Sequence, residues 1–129
     1  IVFASSVKTA KKIYTVLKFE GILSACVTQD TNLIERRNSI ESFKNEKSNL
    51  NIIINYGVLT TGFDAPKANI AIIGRPTQSV TLYSQMVGRV TRGPKAEGTK
   101  ECKIITVKDK LPGFRDISES FFYWEEIWD

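Results

Sequence analysis

The sequence predicts an α/β fold in three layers, a mostly parallel sheet with helices on both faces. Three observations carry that prediction. Five short apolar runs, "IVFA", "ILSACVT", "NIIIN", "NIAIIG" and "CKIITV", read as strands by length and by their β-branched content. Helix-like segments separate most of them, and such alternation is the pattern of parallel units. The run "NIIIN" at 51–55 is continuously apolar, which suits a strand covered on both faces.

Taken in order, "IVFA" (1–4) is a buried strand, and Ser5 and Ser6 then offer N-caps for a helix over "VKTAKKIYTVLKFE". Val7, Ala10, Ile13, Tyr14 and Leu17 share one face of that helix. Lys8, Lys11, Lys12 and Lys18 lie largely off it, and Gly21 is a good stop. The second strand is 22–28. "TNLIERRNSIESFKNEK" follows as a second helix, with Leu33, Ile40 and Phe43 as its expected anchors. The runs at 51–55 and 69–74 are strands covered on both faces, and 102–107 is the last strand. Between those last two lies "SVTLYSQMVGRVTRGP", helical up to the Gly93–Pro94 break. The tail, "LPGFRDISESFFYWEEIWD", places Ile117, Phe121, Trp124 and Trp128 at helical spacing. It reads first as a final helix packed on the sheet, and second as a docking surface for a neighbouring domain.

The totals bound the function. A chain of 129 residues with 42% hydrophobic and 25% charged residues suits one globular core. No apolar run approaches the roughly 20 residues that span a bilayer, and no signal peptide is present, so no membrane partner is expected. A net charge of +4 is compatible with a polyanionic partner. There is no histidine, and Cys26 and Cys102 form no CxxC pair, so a metal site and a histidine-based triad are not expected. A reduced, cytoplasmic compartment is the default. The chain starts without methionine in an apolar run, which reads as a piece of a longer protein.

Two stretches carry chemistry. In "QMVGRVTR", at about 100° per residue, Val80, Tyr83, Val87 and Val90 fall on one side of the helix. Gln85, Gly88, Arg89 and Arg92 fall on the other. A glycine inside a helix costs roughly 1 kcal/mol relative to alanine, which suggests a close approach at Gly88. The polar side is either a solvated face or an anion site, since guanidiniums grip phosphate through paired hydrogen bonds. The second stretch is "NYGVLTTGFDAP", a strand end followed by a loop with Thr60, Thr61, Gly62 and Asp64. In parallel α/β sheets ligands bind beyond the carboxyl ends of strands. Hydroxyls, a permissive glycine and loop amides suit phosphate, and a carboxylate suits ribose hydroxyls. Alone, this stretch is equally a loop of turn-forming residues.

In this order and at these separations, "IVFASS", "TTGFDAP" and "QMVGRVTR" resemble motifs IV, V and VI of the C-terminal RecA-like domain of superfamily 2 helicases. The resemblance covers residues 1 to about 108 and leaves 109–129 as a C-terminal extension. "ERRNSIESFK" matches the helix that follows the second strand in that family. Met86 after the glutamine departs from the DEAD-box pattern. "RPTQSVTLYSQMVGR" and the tail look most like the bacterial branch of DNA repair and restriction motors. The resemblance implies a P-loop NTPase-like fold and a motor of two RecA-like domains that binds ATP with Mg in the cleft between them. No GxxxxGKT loop and no Asp-Glu-x-His/Asp box occur in the sequence, so the N-terminal RecA-like domain would hold ATP and Mg.

By the same resemblance, Arg92 would be the arginine finger, Arg89 would meet the γ-phosphate, and Gln85 would couple the motifs. Gly62 and Asp64 would lie near the ribose, and Gly88 would admit the other domain. Ser5, Ser6, Thr60 and Thr61 would bind the phosphates of a nucleic-acid strand, expected to be DNA. The isolated chain is expected to be inactive. A nucleic-acid or protein binding module without its own ATPase cycle is the alternative. An unrelated doubly wound nucleotide-binding domain lacks its GxGxxG after the first strand.

Overall fold

The structure, a computed structural model, describes residues 1–59, 64–65, 67–75, 79–91 and 101–107, with the backbone only of Val80. The tail residues Ile117, Phe121, Trp124 and Trp128 lie outside the described residues.

The expected strands and helices are present. They run β1 (Val2–Phe3), α1 (Val7–Phe19), β2 (Ala25–Thr28), α2 (Leu33–Lys44), β3 (Ile53–Tyr56), β4 (Ile70–Ile73), α3 (Val80–Val87) and β5 (Lys103–Thr106). All five strands are parallel, in the order β2-β3-β1-β4-β5. The register pairs Cys26 with Ile54, Ile54 with Val2, Val2 with Ile72 and Ile72 with Ile105, which puts them in one row on one face. Val27, Asn55, Phe3, Ile73 and Thr106 form the adjacent row, on the other face.

The faces fill differently. On the first, Ala10 of α1, with Ile13, Tyr14 and Leu17 beside it, packs on Ala4, Ile54, Cys26 and Val2. On the second, Phe43 of α2 and Tyr83, Met86 and Val87 of α3 pack on Phe3, Val27, Ile53 and Ile73. α1 carries the chain from β1 outward to β2 over one face, and α2 brings it back to β3 over the other. Opposite directions over opposite faces give both crossovers the same hand. Each fully buried aliphatic or aromatic side chain stabilises this core by about 1.5–3 kcal/mol.

Local chemistry sets the helix ends. Ser6, Asn32 and Ser79 accept the N–H groups of Thr9, Glu35 and Leu82 at 3.0, 2.9 and 3.2 Å. Gly21 has φ +73°, and the N–H of Ile22 returns to the Leu17 carbonyl at 2.8 Å, so glycine closes α1 as expected.

Two expectations are corrected. Leu33 is 76% exposed and anchors nothing, because the first turn of α2 stands clear of the core that Ile40 and Phe43 reach. Arg36 takes over that end, donating through Nη2 to the carbonyls of Thr28 and Thr31 at 3.2 and 3.4 Å. Among the described residues β4 is covered less fully on the α1 face than expected: Ile70 is 41% exposed, since α1 lies over β2 and β3.

Candidate nucleotide and nucleic-acid interface

Because every strand runs the same way, the exits of β3, β1 and β4 meet at one edge of the sheet, side by side. β1 leaves through Ala4, Ser5 and Ser6. The N–H of Ala4 still bonds the Asn55 carbonyl at 2.9 Å, so the two serines are the first residues free of the ladder. Ser6 is committed to capping α1, and its hydroxyl also donates to Thr9 Oγ1 at 3.0 Å. Ser5 is exposed and donates to the same oxygen at 3.1 Å. Of the two, Ser5 is the more available to an outside acceptor.

β3 leaves through Tyr56 and Gly57, whose φ of +70° suits a residue without Cβ. Asn55 fixes this exit. It is fully buried, its Nδ2 donates to the Val2 carbonyl at 3.0 Å, and its Oδ1 accepts from the Leu59 N–H at 3.3 Å. The start of the glycine-rich loop is thereby tied to β1. Asp64, further along the loop, is exposed. Thr60, Thr61 and Gly62 lie outside the described residues.

β4 leaves through Gly74 and Arg75. The N–H of Gly74 bonds the Phe3 carbonyl at 2.9 Å, and a Cβ there would stand 3.3 Å from that same oxygen. The Arg75 guanidinium lies 5.0 Å from the centre of the Tyr56 ring, across the end of β1.

α3 carries the arginine motif. Tyr83, Met86, Val87 and Val90 are buried, Gln85 and Arg89 are half-buried, and Gly88 is exposed. Tyr83 also shares a hydrogen bond with Thr106 of β5 at 3.2 Å, which fixes the roll of the helix. Of the two-sided wheel expected from the sequence, Tyr83, Val87 and Val90 on the buried side and Gln85, Gly88 and Arg89 on the other are placed as expected, while the side chains of Val80 and Arg92 lie outside the described residues. The helix itself is shorter than expected. It ends at Val87, and Gly88 is its C-cap rather than an interior residue. The next N–H groups, of Arg89 and Val90, bond three residues back, to Met86 and Val87 at 3.2 and 3.0 Å. The turn tightens here, and a Cβ on residue 88 would come within 3.0 Å of the Ser84 carbonyl. The interior-glycine penalty therefore does not apply. Arg92 lies outside the described residues, beyond the end of α3.

Of the residues singled out from the sequence, Ser5, Ser6, Asp64, Gln85, Gly88 and Arg89 are among the described residues, and the fold places the serines beside the β3 exit. Sequence reasoning missed Asn55, Tyr56 and Arg75. A lone asparagine closing a β-branched run was the available signal for the first. The Tyr56–Arg75 contact depends on strand order, which no local pattern states.

Among the candidate groups Arg89 offers donors only, Gln85 and Ser5 offer both donors and acceptors, and the Asp64 carboxylate accepts. Arg89, Gln85 and Ser5 suit an anion, and among the described residues no three His, Cys, Asp or Glu side chains are grouped to hold a metal ion. No helix among the described residues is long and apolar enough to cross a membrane.

Comparison with known proteins agrees with this arrangement. The profile described as "Helicase conserved C-terminal domain" matches residues 1–94. IRC3 of Saccharomyces cerevisiae, an ATP-dependent helicase by name, is 38% identical over 82 residues, covering 64% of this chain and 12% of that protein. The irc3 protein of Schizosaccharomyces pombe, named as a mitochondrial ATP-dependent helicase, is 33% identical over 111 residues, covering 86% of this chain and 18% of that protein. The chain thus spans under a fifth of either relative. Among solved structures, the C-terminal domain of the DEAD-box protein Dbp5 superposes with a TM-score of 0.74 at 25% identity, covering 96% of this chain and 68% of that one. Dbp5 of S. cerevisiae bound to RNA and ADP BeF3 gives 0.70 at 26% identity, covering 98% of this chain and 30% of that one.

Proposed function

The chain belongs to the helicase conserved C-terminal domain family, and we propose that it is the second RecA-like half of an ATP-driven motor that moves on nucleic acid. The observation that carries this reading is the roll of α3. Four buried residues, Tyr83, Met86, Val87 and Val90, hold Gln85 and Arg89 on the outer side, where a second domain can meet them.

The residues of this chain fit the anionic end of ATP, because guanidiniums offer donors alone. ATP with Mg, when bound, supplies the phosphoryl group whose transfer drives the motor. The phosphate cradle and Mg ligands are assigned to the N-terminal RecA-like domain, since this sequence lacks their motifs. Arg92 stabilises charge that develops on the transferring phosphoryl group, and Arg89 binds the same end and registers its loss. Gln85 hydrogen-bonds between the motifs, while Gly62 and Asp64 border the ribose. Gly88 offers a surface without a side chain to the facing domain.

Ser5, with Thr60 and Thr61 and a lesser part for Ser6, holds strand phosphates at the carboxyl edge. Such contacts position a strand without reading its sequence. DNA is the proposed track, on the likeness of "RPTQSVTLYSQMVGR" to DNA repair and restriction motors. Residues 1–108 form the motor half, and 109–129 form an extension. A reducing, cytoplasmic compartment suits the free thiols of Cys26 and Cys102.

The test compares two proteins. The full-length protein should hydrolyse ATP faster when single-stranded DNA is added, and the 129-residue chain should hydrolyse none. ATP turnover by the 129-residue chain alone would overturn the two-domain reading. A full-length protein that binds nucleic acid but never turns over ATP would favour the binding module.

A further inference from the structure

The outer side of α1 has no part in the motor reading. At about 100° per residue, the buried side of this helix centres on Ala10, Ile13 and Leu17. The opposite side carries Lys8, Lys12 and Phe19 within an arc of about 40°, and Ser5 stands at its head. All four are exposed, and Phe19, at 89%, is the most exposed large apolar side chain described. Lys11 and Lys18 lie to one side of this line. Neither lysine of the line serves the described fold. Lys8 sits in the first turn, where the helix dipole disfavours a cation, and that turn holds no acid. Neither Lys8 nor Lys12 pairs with a described carboxylate. Glu20, at the C-cap, lies about 100° round the helix from Phe19.

We propose that a single-stranded nucleic acid continues from the carboxyl edge of the sheet down this side of α1, with phosphates on Ser5, Lys8 and Lys12 and a base stacked on Phe19. The inference rests on the nucleic-acid reading above and adds to it a path and a stacking residue. Ammoniums that follow phosphates beside a ring that takes a base are the pattern of surfaces that hold single strands without reading sequence. The path is continuous with the edge, because α1 starts where β1 ends. Lys8 and Phe19 stand about 16 Å apart along the helix axis. A strand rising at least about 3.4 Å per nucleotide covers that span with about five nucleotides or fewer. An acidic protein segment would also suit lysines beside exposed Phe19 and Val16. The place of Lys8 next to Ser5, at the carboxyl edge, favours the nucleic acid.

The test uses the full-length protein and fluorescence anisotropy with labelled oligothymidylate and oligouridylate, taking whichever binds more tightly. Lys8→Ala and Lys12→Ala should each weaken binding several-fold and lower the slope of log K against log salt by about 0.7, the share of one phosphate on a single strand. Lys44→Ala removes the same charge from an exposed site at the end of α2 and should leave that slope unchanged. Phe19→Ala should weaken binding about 5- to 150-fold, the equivalent of one lost base stack, at unchanged slope. Phe19→Leu should behave like Phe19→Ala, and Phe19→Tyr like the parent. All these positions are exposed, so thermal melts should match the parent.

Lysine variants that match Lys44→Ala in slope and affinity overturn the path and leave the motor reading standing. Parental affinity in Phe19→Leu overturns it too, because a base stack needs the ring. Parental binding by Lys8→Ala, Lys12→Ala and Phe19→Ala together would leave this side of α1 to an acidic protein segment. A parent protein that binds neither oligonucleotide overturns this inference along with the nucleic-acid reading beneath it.

Discussion

The guanidinium of Arg75 stacks 5.0 Å from the Tyr56 ring, so one cation–π contact spans the exits of β4 and β3 over the end of β1. It joins the segment that leads into α3 to the segment that begins the glycine-rich loop.

Removing that contact should loosen the edge without unfolding the domain. Arg75→Ala should destabilise by about 0.5–2 kcal/mol, the range of partly desolvated cation–π pairs. Tyr56→Phe should be nearly neutral and Tyr56→Leu should resemble Arg75→Ala. Urea unfolding of the single and double variants gives the coupling energy. A coupling near zero would show that the stack contributes nothing.

Asn55→Leu should be more damaging. The substitution leaves the Val2 carbonyl and the Leu59 N–H without their partner, at about 1–3 kcal/mol for each buried group. The expected loss is therefore about 2–6 kcal/mol, measured by denaturant unfolding. A loss below that of Arg75→Ala would mean that the β3 exit is not held by this side chain.

Ser5 and Ser6 should separate in their effects. Ser6→Ala removes an N-cap and should cost about 1 kcal/mol of stability. Ser5→Ala should leave stability unchanged and weaken binding of single-stranded DNA with the salt slope unchanged, because a neutral hydroxyl releases no counterion. The opposite pattern, with Ser5 structural and Ser6 alone affecting binding, would contradict the roles assigned here.

Most of the fold was legible because strand and helix periods are local properties. "NIIIN", "NIAIIG" and the buried side of α3 needed only neighbouring residues to be read. What failed depended on the third dimension. Leu33 fits the helical period yet stands beyond the core, and Arg36 holds that end through carbonyls that only the folded loop presents. The end of α3 at Val87 was missed because valine and threonine after Gly88 continue a helical pattern while the backbone bonds tighten. Ile70 was read as buried because its run looks like β3, although β4 lies outside the reach of α1. In the site, the motif residues were legible, while Asn55, Tyr56 and Arg75 act through pairings set by strand order.

The thiols should differ in reactivity. Burial pushes the Cys26 thiol pKa up, Glu35 adds to that, and Lys11 opposes it, so little Cys26 is thiolate at neutral pH. Cys102 is exposed. Iodoacetamide at pH 7 should label Cys102 first, read by peptide mass spectrometry, and Cys26 should gain on it as pH rises. Equal labelling at pH 7 would mean that β2 is open to solvent on that face.

The central claim is that the polar side of α3 and the residues just past it form a catalytic edge for a nucleotide held by another domain. The most direct measurement is steady-state ATP hydrolysis by the full-length protein carrying Arg92→Ala, with ATP affinity measured separately. An arginine finger is worth about 10³–10⁵ in kcat, because its contact strengthens as charge develops. The account predicts a loss of that order in kcat with little change in ATP affinity, and little rescue by Arg92→Lys, whose point charge lacks the planar fork. Near-normal kcat in the Ala variant would contradict it and leave Arg89 to carry the role alone.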